Sequence, residues 1–191
     1  MFHQLFLFYL STYLDILRHY FYLKSLFFTW HNAFYSKHLI MKNEFLEVLR
    51  TLKQTVFILS AGDKTERHAM TVSSVTSLSM EPPSIMVAIN KNAGINSILS
   101  EDTNFCLNLL SSSQQEISNI CSGSEEGEER FNNEGWVSEN SIYLESAQSN
   151  IFCKVKKIIP FSSHFIMVGE VTKIIHSGKM DPLVYQNGKY D

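Results

Sequence analysis

No Gly-x-Gly-x-x-Gly and no Gly-x-x-x-x-Gly-Lys-Ser/Thr occurs in the 191 residues, which removes a Rossmann dinucleotide site and a P-loop. Any dinucleotide must bind by another route. Gly-x-Ser-x-Gly is also missing and no Asp is identifiable as a third triad member, so the many serines give no sign of a hydrolase nucleophile. The three cysteines, Cys106, Cys121 and Cys153, cannot all pair and their spacing matches no zinc pattern. They read as buried or spare thiols in a reducing cytoplasm, and no metal is expected. Cations are scattered at a net charge of −3, with one small cluster, Lys154, Lys156 and Lys157, that reads as a solvated strand face; no nucleic acid is expected. Apolar runs stop short of the ~20 residues that span a bilayer, because Asp15, Arg18, His19 and Lys24 interrupt the richest one. A basic beginning and a small-residue cleavage site are lacking too, which argues against a secretory signal. No internal repeat is visible.

What is present is unevenly distributed. Residues 1–40 hold 13 of the 24 aromatics and four of the seven histidines, and contain no Gly, Pro, Val, Glu or Cys. Arg18, Lys24 and Lys37 against Asp15 give this segment +2, which leaves −5 on residues 41–191. An amphipathic helix lying on a membrane surface is one reading of it. The remainder, in a chain with 45% hydrophobic content, suffices for one well-buried core and one domain.

Asn43 can cap a short helix through Leu52, with Phe45, Val48, Leu49 and Leu52 at helical spacing. Thr55–Ser60 reads as the first strand, and Ala61–Thr65 as a turn leading into a second. Ile85–Asn90 is a continuous apolar run, which predicts a strand buried on both faces. Gly94–Leu99 suits one or two helical turns, Asn104–Leu110 a buried strand, and Gln114–Cys121 a short amphipathic helix. Ser122–Glu129, with two Gly and four Glu, reads as a mobile loop. Ile151–Phe161 and His164–Ile175 alternate as two long antiparallel strands. Many strands, short helices and no βαβ rhythm predict a mainly β fold with short helices, as a closed or half-closed barrel.

The segment from Ala69 to Asn92 is the most informative. A Ser/Thr-dense strand is followed by Pro82-Pro83 and an apolar strand ending Asn90-Lys91-Asn92. Hydroxyls donate and accept, and bent backbone can converge its amides on a phosphate. The surface suits a flat, polar-edged, phosphate-bearing ligand; an edge strand with a solvated hydroxyl face is the plainer alternative.

Six pieces of this chain carry a family resemblance in their order. They are Met70–Ser79 with Pro82-Pro83; Asn90-Lys91-Asn92 with Ile95-Asn96; Asn104–Leu110; Glu129-Arg130-Phe131 with Trp136; His164–Val171; and Pro182-Leu183-Val184-Tyr185. From roughly residue 45 to 190 the chain resembles the flavin reductase-like domain family. These are the short-chain NAD(P)H:flavin oxidoreductases, similar to the small component of 4-hydroxyphenylacetate 3-monooxygenase. Two departures stand out: Ala69 where the family has Gly, and Ser162-Ser163 where it has Gly-Asp before the His. Met41 falls where the family begins, which favours residues 1–40 as an atypical extension, a translated upstream region outside the native protein, and residues 41–191 as the domain.

The resemblance implies an FMN-binding split β-barrel, a cytoplasmic homodimer, and transfer of a hydride from NADH or NADPH to FMN or FAD, with reduced flavin passed to a partner monooxygenase. It implies that Met70, Thr71, Val72, Ser73, Ser74, Val75, Thr76 and Ser77 line the flavin together with Asn90, Lys91 and Asn92. Lys91 is the phosphate partner and the Asn amides meet the polar edge of the ring. Asn96 belongs to the same cofactor site. Arg130 and Phe131 supply a cation and a ring, Tyr185 approaches the nicotinamide, and His164 orients it, with acid–base duty open to its imidazole. His68 and His176 read as solvated. Two other classes stay open. One is a flavin-holding protein of the same fold without turnover, and the other a membrane-associated protein whose first 40 residues are its purpose; a membrane partner is otherwise not expected.

Overall fold

The structure, a computed structural model, describes residues 2–124, 127–132, 135–139 and 141–191. The chain divides into two units, residues 1–51 and 52–191. The first is a single helix, α1 (Phe2–Thr51). Asn43, expected as a cap, lies inside it, because no Gly or Pro occurs before Gly62 to interrupt the Leu/Phe/Tyr-rich run upstream. Phe45, Val48, Leu49 and Leu52 are all exposed. Among the described residues no helix is long and apolar enough to cross a membrane.

The second unit contains, in chain order, β1 (Gln54–Thr55), β2 (Phe57–Gly62), β3 (Arg67–Val72), β4 (Val75–Met80), β5 (Pro83–Asn90), β6 (Asn104–Leu109), α2 (Gln115–Asn119), β7 (Trp136–Ser138), β8 (Ile142–Leu144), β9 (Ser149–Phe161), β10 (His164–His176), β11 (Val184–Gln186) and β12 (Lys189–Tyr190). Seven strands form one antiparallel sheet in the order β3-β2-β6-β9-β10-β5-β4. The segment expected as one hydroxyl-rich strand is therefore two, β3 and β4, on opposite edges of the sheet and joined only by Ser73-Ser74. Laid flat at about 4.8 Å per strand, the edges would stand about 29 Å apart. The three residue steps from Val72 to Val75 reach about 11 Å at most. The sheet must therefore curl until its edges converge at Ser73-Ser74. No ladder joins β3 to β4, so the barrel is split there.

Alternation along the strands separates two cores. Leu59, Val87, Ile89, Phe105, Leu107 and Met167 fill the barrel. Ile58, Leu110, Ile117, Ile142 and Leu144 pack outside it, where β2 and β6 meet α2 and β8. Strands β2 and β6 thus face apolar groups on both sides, in keeping with their continuous hydrophobic runs. β5 departs from that expectation: Ile85, Val87 and Ile89 are buried, while Met86 and Ala88 on the other face are half-buried. A continuous apolar run cannot tell a second core from a half-covered outer face.

β9 and β10, each of 13 residues, form the predicted long hairpin across Ser162-Ser163, with Ser162 at φ 46°. Gly169 on β10 lets Phe105 lie against the strand. A Cβ there would stand 2.4 Å from Phe105 Cζ and 3.2 Å from Cys153 Cβ, and Phe105 is fully buried. Gly169→Ala is expected to cost about 1–3 kcal/mol by overpacking, read as a lower urea midpoint at unchanged slope.

The outer face of β2, β6 and β9 carries a buried polar network. Asn108 Nδ2 donates to Ile58 O (2.7 Å) and Ser60 Oγ (2.9 Å), and its Oδ1 accepts from Leu144 N (2.8 Å) and Asn150 Nδ2 (2.9 Å). Ser60 Oγ donates to Ile142 O at 2.6 Å. These bonds fasten the β7–β8 hairpin, which the sequence reading leaves out, to the barrel. The expected loop at Ser122–Glu129 is in part ordered: Ile120–Ser124 extends α2, and Gly127–Phe131 is a short 3-10 helix. Its Glu128 accepts from Arg67 Nε (2.9 Å) and Nη2 (2.8 Å). Glu125 and Glu126 fall outside the described residues.

Candidate functional site

The crossing from β3 to β4 builds the site. Thr71 Oγ1 donates to Ser118 O (2.6 Å), tying β3 to α2, and Ser74 Oγ donates to Ala88 O (2.8 Å), tying the start of β4 to β5. Beside Thr71 opens a cavity of about 380 Å³. Its walls include Thr71 and Ser73 from the crossing, Asn119 and Ser122 from α2 and the turn after it, and Tyr185 and Tyr190 from the C-terminal hairpin. The two tyrosine rings meet edge to face at 5.3 Å, adding an aromatic lining beside the hydroxyls. A planar heteroaromatic ligand with a polar edge matches that lining.

A second group lies just beyond Ala88. His164 is the register partner of Asn90, and Lys91 N donates to Ser163 O at 2.9 Å. Asn90 Oδ1 accepts from Asn92 N (2.9 Å), and Asn96 Nδ2 donates to Asn90 O (2.8 Å) and Lys91 O (3.1 Å). Asn96 thereby fixes the turn that presents Lys91, whose Nζ is 5.5 Å from the centre of the Phe165 ring. His164 is exposed, and its Nδ1 is 2.9 Å from Ser163 Oγ, which leaves Nε2 as the nitrogen open to a ligand. Ser163, one of the two departures from the family pattern, thus supplies a hydroxyl to the ring.

Other expected residues sit elsewhere. Val72 is buried in the barrel core, with Met70 and Val75 packed against it; Thr76 and Ser77 are exposed on β4. Phe131 is buried in the outer core, edge to face with Trp136 at 5.0 Å and 4.2 Å from the Arg67 guanidinium. Arg130 Nη1 donates to Ala69 O at 2.9 Å. Neither residue is among those lining the cavity.

The sequence reading misses Asn119, Ser122 and Tyr190, which lie on the polar side of an amphipathic helix and at the chain's end. Of the two histidines read as solvated, His68 departs from expectation, whereas His176 is exposed. His68 is on β3, half-buried, with Cε1 2.9 Å from where a Cβ on Gly94 would stand. His176 ends β10 with Nδ1 2.7 Å from Ser149 Oγ. Burial pushes the thiols of Cys121 and Cys153 up to about 12 and that of Cys106 up as well, so all three stay protonated and unreactive at neutral pH. A separate cavity of about 410 Å³, beside Asn104, Phe152 and Lys173, contains none of the expected residues.

The chain belongs to the flavin reductase like domain family, which it matches over residues 49–191. It is 34% identical over 151 residues, 76% of this chain and 84% of the relative, to the reductase component of the FADH(2)-dependent resorcinol hydroxylase of a Rhizobium species. It is 29% identical over 148 residues to the FMN reductase (NADH) RutF of Pseudomonas syringae, covering 76% of this chain and 83% of that one. Among solved structures, the flavin reductase HpaC in complex with NADP+ superposes with a TM-score of 0.71 at 26% identity, covering 78% of this chain and 96% of the other. The split barrel of these neighbours is the fold described above.

Proposed function

We propose that this protein is an NAD(P)H:flavin oxidoreductase that supplies reduced flavin to a partner monooxygenase. The observation that carries the reading is the cavity at the barrel's split, lined by hydroxyls and by Tyr185 and Tyr190, in a chain of the flavin reductase family. FMN or FAD, when bound, supplies the hydride acceptor for NADH or NADPH. The chain's residues bind and orient. Thr71, Ser73 and Tyr190 meet the ring's polar edge, Tyr185 covers it, and Lys91 on its Asn-fixed turn neutralises phosphate. His164 guides the nicotinamide through Nε2. No buried acid, base or nucleophile is required of the protein for hydride transfer, which accounts for the absence of such a cluster from the cavity walls. The relative named as the reductase component of a hydroxylase supports a monooxygenase as recipient.

The function belongs to residues 41–191 and to the cytoplasm, with residues 1–40 taking no part. A homodimer would cover the half-buried outer face that Met86 and Ala88 of β5 share with Ile166 and Val168 of β10. His164→Ala is expected to lower turnover with NAD(P)H about tenfold or more, with flavin affinity changed far less. Steady-state kinetics beside a flavin titration checks it, and equal losses in both would remove His164 from the nicotinamide side.

A further inference from the structure

We propose that Thr71 and Tyr190, both bonded to Ser118, form an acceptor–donor pair that reads the imide edge of the flavin ring and so fixes which edge of the ring meets this wall of the cavity. The inference rests on the flavin reading given above and names the contact that sets its orientation.

The hydrogen count decides the roles. Thr71 Oγ1 spends its one proton on Ser118 O at 2.6 Å. Toward the cavity it therefore offers lone pairs alone. Ser118 is fully buried, and its Oγ has one partner among the described residues, Tyr190 OH at 2.8 Å. If Tyr190 donated, the Ser118 proton would be buried without an acceptor, at a desolvation cost. Ser118 therefore donates and Tyr190 accepts, which frees the phenolic proton of Tyr190. Both Thr71 and Tyr190 line the cavity. One residue's carbonyl and hydroxyl thus set an acceptor and a donor side by side.

Oxidised isoalloxazine carries one ring N–H, at N3, flanked by the carbonyls at C2 and C4. Thr71 Oγ1 accepts from N3–H, and Tyr190 OH donates to a neighbouring carbonyl. The edge-to-face contact with Tyr185 at 5.3 Å holds the Tyr190 ring in place. An imide edge held by the Thr71–Tyr190 pair would leave the dimethylbenzene end of the ring pointing away from it. Only the ring shared by FMN and FAD is read, so the pair discriminates ring chemistry rather than the length of the tail.

The test titrates the full chain with FMN and with 3-methyl-FMN, which lacks the N3 proton, following flavin fluorescence. The wild-type protein is expected to bind FMN about tenfold more tightly than the methylated analogue, the size of one well-made hydrogen bond plus the methyl clash. In Thr71→Ala, which removes the acceptor and makes room for the added methyl, the two affinities are expected to fall within about twofold of each other. Tyr190→Phe, which deletes one oxygen and keeps the ring, is expected to weaken both ligands by a similar factor, about three- to tenfold. Equal wild-type affinity for the two ligands overturns the orientation while leaving a flavin reductase standing. No binding of FMN by the wild-type protein overturns both.

Discussion

Asn108→Leu is expected to lower stability by about 2–5 kcal/mol, although the two side chains are close in volume and no cavity is made. The reason is the number of buried groups that lose their partner at once. Ile58 O loses a donor, Leu144 N loses an acceptor, and Ser60 and Asn150 each lose one bond. Asn108 and Ser60 are fully buried and Asn150 is 1% exposed, so water cannot replace the missing contacts. The strands themselves, β2, β6 and β9, keep their ladders; the β7–β8 hairpin loses its fastening. Urea unfolding should show a midpoint shift of this size, and the slope should change if the hairpin detaches before the barrel. A shift below about 1 kcal/mol would mean that the hairpin is held by its apolar contacts alone.

Ser73→Trp is expected to reduce flavin affinity by about a hundredfold or more while the protein stays folded, since a ligand site of this kind buries most of its ligand. Ser73 sits in the two-residue link between β3 and β4, half-buried, with its side chain on the cavity wall. No ladder hydrogen bond joins the two strands at that point, so a large ring can be placed there at the expense of the cavity and not of the sheet. Flavin fluorescence titration together with circular dichroism separates the two effects. Unchanged affinity in a folded variant would place the flavin elsewhere on the barrel.

The long hairpin is legible in the sequence because Ile151–Phe161 and His164–Ile175 alternate over many residues, and a period-2 pattern of that length has one physical reading. The burial of β6 is legible from its apolar run, but whether one or both faces of such a run are covered is not, as β5 shows. The split is not legible. Met70–Ser79 reads as one irregular strand, and nothing local shows that Ser73-Ser74 carries the chain from one sheet edge to the other; that follows only from the pairing of β3 with β2 and of β4 with β5. Asn108 is visible as a polar residue in an apolar run, yet its four bonds come from segments as far as 50 residues away, beyond any pattern along the chain. The start of α1 fails for the opposite reason, since a favourable cap at Asn43 carries no weight when the residues before it are helix formers. Of the candidate site, Thr71, Ser73 and Tyr185 line the cavity, whereas Tyr190, in a two-residue strand at the chain's end, gives no local signal of its place.

The most direct measurement is the oxidation of NADH and NADPH by the full chain, followed by loss of the reduced nicotinamide absorbance, with and without FMN, FAD and riboflavin. The account predicts oxidation that depends on added or bound flavin. Flavin binding without oxidation would contradict it in favour of a flavin-holding protein, and neither binding nor oxidation would contradict the site itself.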